Sequence, residues 1–186
     1  MIGLLPKTLN VNGTERAIRS DYRVALLIFE AYADPEMLDD EKTEAMLDCL
    51  YEDFDSFTRD DIREAVDKAV WFLDGGKEYE DLNDTRRVLD WEQDEKIIFS
   101  AVNKVAGFET RAVDYMHWWT FFAYFNEIGE GLLSTVINIR NKRNKGKKLE
   151  KHEQEFYQNN KNLVELKIRY TAEEQADIDA FNKIFT

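Results

Sequence analysis

Four carboxylates, Asp53, Asp55, Asp61 and Glu64, stand at the first, third, ninth and twelfth positions of a calcium-loop template, where hard oxygen ligands would ring a divalent cation. The template fails at its centre: position five is Phe57, and position six, where the sharp turn needs glycine, is Thr58. His152-Glu153-Gln154-Glu155-Phe156 opens like a zinc-hydrolase helix, but a phenylalanine occupies the place of the second imidazole ligand. Gly75-Gly76-Lys77 lacks both the upstream glycine and the following Ser or Thr of a phosphate-binding loop, and it follows a helical pattern rather than a strand. Cys49 has no second cysteine to pair with and no neighbouring base to activate it, and reads as a small buried apolar group. His117 and His152 are the only histidines, too few for a multi-histidine metal centre. Carboxylates are abundant, yet no spacing favours a particular acid–base pair. The residues therefore point to no catalytic, cofactor or metal site, and a non-enzymatic protein is expected.

The element that would position His117 is the aromatic stretch from Asp114 to Phe125. Read as one helix, it sets Tyr115, Trp118, Trp119 and Phe122 on one stripe and His117, Phe121 and Tyr124 on another, so apolar surface runs round most of its circumference. Such a helix belongs in the middle of a domain. Within it, His117 reads as a partly buried imidazole with local hydrogen bonds, and the tryptophans as core whose indole N–H groups need acceptors.

Around this helix the chain reads as mainly α. Asn12-Gly13 between Thr8–Val11 and Thr14–Ile18 predicts a β-hairpin on a type I′ turn. Ser20 or Asp21 caps a helix carrying Tyr22, Ala25, Leu26, Phe29 and Ala33, which ends before Pro35. A second helix runs from about Asp40, and Thr58 with Asp61 forms a capping box ahead of a third that Gly75-Gly76 stops. A polar loop from Lys77 to about Asp90 precedes the stripe Trp91, Ile98, Ala101, Val102 and Val105, closed by Gly107. Leu132 to Ile139 leads into the basic run Arg140 to Lys148, read as a solvated helix end. A charged helix is expected from Lys148 to Tyr157, and a last one after the Thr171–Glu174 capping box, with Ile178, Phe181, Ile184 and Phe185 on its apolar face. This gives a single helical core domain over residues 1–145, with the hairpin at about 5–20, and a basic-to-amphipathic C-terminal helical extension over 146–186.

Composition bounds the function. The 186 residues carry a net charge of −13, which opposes general binding to nucleic acid. Acidity dominates residues 1–130, whereas residues 131–186 hold a small basic excess. One cysteine means no internal disulfide, and no apolar run reaches the length of a membrane span, so a soluble cytoplasmic protein without membrane partners is expected.

Several short motifs occur together in order: Leu5-Pro6, the Asn12-Gly13 hairpin, Ser20-Asp21-Tyr22-Arg23, Ala69-Val70-Trp71-Phe72 with Gly75-Gly76-Lys77, Asp90-Trp91-Glu92-Gln93-Asp94, His117-Trp118-Trp119 with Phe121, and Ile137-Asn138-Ile139-Arg140. In this combination the chain resembles the "gene product fifteen" family of long-tailed bacteriophages and prophages of Gram-positive bacteria, over roughly Leu5 to Phe156. The resemblance implies a role in tail morphogenesis, since such genes usually lie between those for the major tail protein and the tape measure. It implies a tail assembly chaperone that binds the tape measure protein, with the tail tube protein as a further partner, and that stays in the host cytoplasm and out of the mature virion. Self-association is a further expectation. Partner-binding residues are expected at His117, Trp118, Trp119 and Phe121, with a second surface at Ile178, Phe181 and Phe185. The alternatives are a tail-completion or connector subunit retained in the virion and, last, a nucleic-acid-binding regulator using Arg140 to Lys148.

Overall fold

A computed structural model describes residues 3–77 and 86–184. Strands β1 (Thr8–Val11) and β2 (Thr14–Ala17) pair antiparallel, with Val11 opposite Thr14. Asn12 and Gly13 take φ of 48° and 81°, the left-handed pair that a type I′ turn requires. Leu9 and Val11 turn inward onto the third helix, and the hairpin tip is pinned there as well: the Asn12 N–H donates to Glu64 Oε2 at 2.9 Å and its amide to Asp61 Oδ1 at 2.9 Å. These carboxylates of the failed calcium template are thus occupied in holding the hairpin.

Helix α1 (Tyr22–Ala33) starts at Asp21, whose carboxylate accepts the Arg23 N–H at 2.9 Å, and stops before Pro35. Helix α2 (Asp39–Leu50) packs against α1, burying Met46, Leu47 and Leu50. Helix α3 (Arg59–Leu73) begins where Asp61 Oδ2 accepts the Thr58 N–H at 2.9 Å, and buries Ala65, Ala69, Phe72 and Leu73. Helix α4 (Glu95–Ala106) closes on Gly107 at φ 80°. Residues 78–85, within the loop expected between α3 and α4, lie outside the described residues.

The aromatic helix, α5 (Trp118–Asn126), is shorter than its periodicity suggests. Residues ahead of Trp118 are held in extended pairing with the start of α1 instead: Met116 N–H donates to Asp21 Oδ2 (3.0 Å), Tyr22 N–H to Met116 O (2.9 Å), and Trp118 N–H to Ser20 O (2.8 Å). Those backbone groups are not available for an earlier helical turn. Tyr115, expected on the apolar stripe, is half exposed and its hydroxyl meets Ser20 Oγ at 2.8 Å.

Helix α6 (Leu132–Asn144) packs on α4, and α7 (Lys151–Asn159) and the one-turn α8 (Lys161–Val164) close a second small core on it around Val136, Ile139 and Val164. The charged helix begins three residues later than its composition suggests because Glu153 accepts the Glu150 N–H at 2.9 Å and sets the start there. Helix α9 (Ala172–Ile184) follows; Thr171 and Glu174 exchange backbone bonds at its start, as its capping box predicts.

Arg140 corrects the reading of the basic run. It is 4% exposed, because it falls on the buried stripe of α6 with Leu133 and Val136. Its guanidinium grips the fully buried Asp94 carboxylate (2.5 and 2.9 Å) and also donates to the carbonyls of Val88, Leu163 and Val164 at 2.7 to 3.0 Å. One side chain thereby ties α6 to the entry of α4 and to the C-terminal segment. Beside it, Arg169 bridges Glu30 (3.2 Å) and Asp90 (3.1 Å). Burial pulls the Asp90 carboxyl upward, but the Gln93 N–H and Arg169 outweigh it and hold the group below the usual carboxylate range.

Candidate partner-binding surfaces

The start of α5 is a knot of polar contacts inside an apolar core. His117 is its N-cap: Nδ1 accepts the Trp119 N–H at 3.0 Å, so Nε2 carries the proton and donates to Pro6 O at 2.8 Å. This arrangement requires a neutral ring. Burial lowers the His117 pKa from its ordinary 6.5, opposed by the Pro6 contact and helped by nearby Lys7. The two indoles satisfy the end of α3, with Trp118 Nε1 donating to Leu73 O (2.9 Å) and Trp119 Nε1 to Phe72 O (2.8 Å). Gly75 and Gly76, both at positive φ, lie against these rings so closely that an added Cβ would come within 2.8 Å of Phe122 and of Trp119 respectively. The Leu5-Pro6, Ser20-Asp21, Gly75-Gly76 and His117-Trp118-Trp119 motifs therefore converge on one junction.

This junction presents little surface. His117 is 3% exposed, Trp118 and Phe121 are fully buried, and Trp119 is half-buried. What α5 does supply is the back wall of a groove between α1 and α4. Phe121 stacks on Tyr22 with centroids 4.5 Å apart and meets Phe99 at 5.7 Å, while Phe125 meets Trp91 at 5.2 Å. The outer faces of Tyr22, Phe99 and Trp91, with Leu26, Leu27 and Ile98, line a mostly apolar groove of roughly 500 Å3. Leu27 is 61% exposed on its lip. Its charged rim is paired: Arg23 and Arg111 lie over the Tyr22 and Phe99 rings and pair with Asp21 and with Glu109 and Glu95, while Arg169 bridges Glu30 and Glu92. An open apolar trough of this kind suits the apolar face of an amphipathic helix.

Of the second expected surface, Ile178 is half-buried and Phe181 is 61% exposed on α9, while Phe185 lies outside the described residues. His152 is exposed on α7 beside Glu150, and Phe156 packs into the small core on α6. Cys49 is half-buried against the main core, which pushes its thiol pKa up. Among the described residues, no group of three or more His, Cys, Asp or Glu side chains is placed to hold a metal ion, and no helix is long and apolar enough to cross a membrane.

The groove escapes a sequence reading because its walls belong to helices far apart in the chain. Its one local signal is Leu27, an apolar residue off the inward stripe of α1. The Asp94–Arg140 pair also had a signal, since Arg140 interrupts an apolar stripe at helical spacing.

A family model described as Bacteriophage Gp15 protein matches residues 1–166, nine-tenths of the chain, and the chain belongs to that family. No curated protein and no solved structure matches it. The match ends between Val164, the last residue of α8, and the start of α9 at Ala172.

Proposed function

We propose that this Gp15-family chain is a tail assembly chaperone, a non-catalytic protein that holds the tape measure protein in the host cytoplasm during tail morphogenesis and is absent from the finished virion. Membership of a bacteriophage family supports a role in phage structure or morphogenesis. The observation that carries the finer reading is the open apolar groove between α1 and α4, with Leu27 exposed at its lip. A chaperone for a long helical client needs a surface that takes one amphipathic segment after another and releases each to a stronger partner. Apolar anchors in a shallow groove provide such affinity without a permanent interface. The buried junction around His117 keeps the groove's aromatic back wall in place.

Co-expression with overlapping fragments of the tape measure protein tests this. A soluble complex with at least one fragment, lost in Leu27→Glu, is expected. Failure to bind across the whole fragment set sinks the proposal. Mass spectrometry of purified particles separates the chaperone from a connector subunit, because a connector would appear in ring-like copy number.

A further inference from the structure

Strand β1 has one edge inside the hairpin and one edge free. The Ile18 N–H donates to Lys7 O at 3.0 Å, one step beyond the Thr8–Ala17 pair, so the bonded pairs fall at Lys7, Leu9 and Val11. The N–H and C=O groups of Thr8 and Asn10 therefore point away from β2. Among the described residues, no main-chain or side-chain group bonds to these four. Exposed strand edges are commonly blunted by proline, lysine or a bulge, yet Thr8-Leu9-Asn10-Val11 contains none of the three.

The free edge borders a cleft of roughly 500 Å3, walled by Thr8, Leu9 and Asn10 on one side and by Asp67, Lys68 and Trp71 of α3 on the other. Lys68 and Trp71 are half-buried, and neither Asp67 nor Lys68 has an ion pair among the described residues. Glu15 also lines the cleft. Its exposed carboxylate leans across β1, accepting from Thr8 Oγ1 at 2.6 Å and from Asn10 Nδ2 at 3.0 Å, and meets no cation among the described residues.

From these observations we infer that the β1 edge takes an added strand from a partner protein, an extended segment whose residues run basic, apolar, basic. An antiparallel segment needs only three residues to satisfy all four free groups: those opposite Thr8 and Asn10 exchange N–H···O=C pairs, and the middle one, opposite Leu9, turns its side chain toward α3. There it packs against Trp71 and the stem of Lys68, which suits an apolar residue. The outer two share the face of Glu15, whose carboxylate suits a long basic side chain. A second copy of this chain fits less well, because α3 packs chiefly on β1 rather than β2. Two such edges joined antiparallel would set two α3 helices beneath strands about 4.8 Å apart, whereas packed helices need roughly 8–10 Å. The site shares no residue with the groove between α1 and α4, and the inference does not depend on the tape-measure reading.

Fluorescence anisotropy on the full chain tests it, with a labelled, capped peptide in which lysine and valine alternate, and with far-UV circular dichroism confirming that each variant folds. Saturable binding is expected. It should weaken at least about tenfold when glutamate replaces lysine in the peptide, and as much when the main-chain nitrogens of the lysines are methylated, which keeps the charge but removes the donors. Thr8→Pro should have the same effect and leave the β1–β2 ladder whole, because the Thr8 N–H points outward. Glu15→Lys should reverse the preference toward the glutamate–valine peptide, and it decides the matter if Thr8→Pro fails to fold. Absence of saturable binding overturns the inference, as does binding indifferent to both methylation and Glu15→Lys. Self-association of the wild type in sedimentation velocity that Thr8→Pro abolishes also overturns it, and assigns the edge to a second copy of this chain.

Discussion

Removing the Arg140 side chain should be among the most damaging single changes available outside the aromatic core. The Arg140→Ala protein keeps the Asp94 carboxylate, fully buried, without its countercharge, and strips an N–H donor from each of three carbonyls, those of Val88, Leu163 and Val164. Breaking one side of a buried ion pair costs about 3–5 kcal/mol. For a chain of this length each kcal/mol lowers the melting temperature by about 2–4 °C, so the expected fall is roughly 6–20 °C. Arg140→Lys should recover little of it, because an ammonium has three donors and no planar fork for a bidentate carboxylate. In a double-mutant cycle, Asp94→Ala with Arg140→Ala should be less damaging than the sum of the single changes by at least about 2 kcal/mol. It should not return to wild-type stability, since the three carbonyls stay unpaired and the Asp90 N–H, which donates to Asp94 Oδ2 at 3.0 Å, loses its acceptor. The assay is thermal and urea unfolding of each variant. A loss below about 1 kcal/mol for Arg140→Ala, or strict additivity in the cycle, would refute the reasoning.

Other expectations follow from the junction around α5 and from the hairpin. His117 has a folded pKa below its ordinary 6.5, so the stability it confers is complete above that value and declines as pH falls below it; the decline should shrink in His117→Asn, whose carbonyl can take over the cap without titrating. His117→Ala should be less stable than the wild type by about 1–3 kcal/mol, read by urea unfolding, from the orphaned Trp119 N–H and Pro6 O. Gly76→Ala should cost more than Gly146→Ala: both glycines sit at positive φ, but only at Gly76 does the new Cβ meet Trp119, so the difference in unfolding free energy isolates the ring contact. Hydrogen bonds from Thr58 and Asn12 lower the Asp61 carboxyl from 3.8 to about 2, so the Asp61→Asn protein should show a weaker loss of stability as pH is lowered through that window.

The contrast between what is local and what is distant explains how much of this fold was legible in the sequence. The hairpin, the Asp21 cap, the Thr58 box and the Gly107 stop rest on chemistry within a few residues and are read correctly from types and spacing. The start of α5 was not, because aromatic periodicity continues smoothly through residues that tertiary pairing with Asp21 and Tyr22 pulls out of the helix. A histidine in the N-cap role is also uncommon, so His117 gave no boundary signal. Arg140 was hidden by its company: it opens a basic run, and its partner Asp94 lies 46 residues away. The candidate site was legible only in its backing. His117, Trp118 and Phe121 stand out by type, but the surface in front of them, Leu26, Leu27 and Trp91, exists only once α1 and α4 are side by side.

The chaperone reading is tested most directly by co-expressing the full-length tape measure protein with the wild-type chain and with Leu27→Glu, then measuring the soluble tape measure that co-purifies. Leu27 is exposed, so its substitution leaves the core intact. The account predicts a soluble complex with the wild type and at least about tenfold less with the variant, the loss of one apolar anchor plus a buried charge. A tape measure that remains insoluble with both, or co-purifies equally with both, would contradict it.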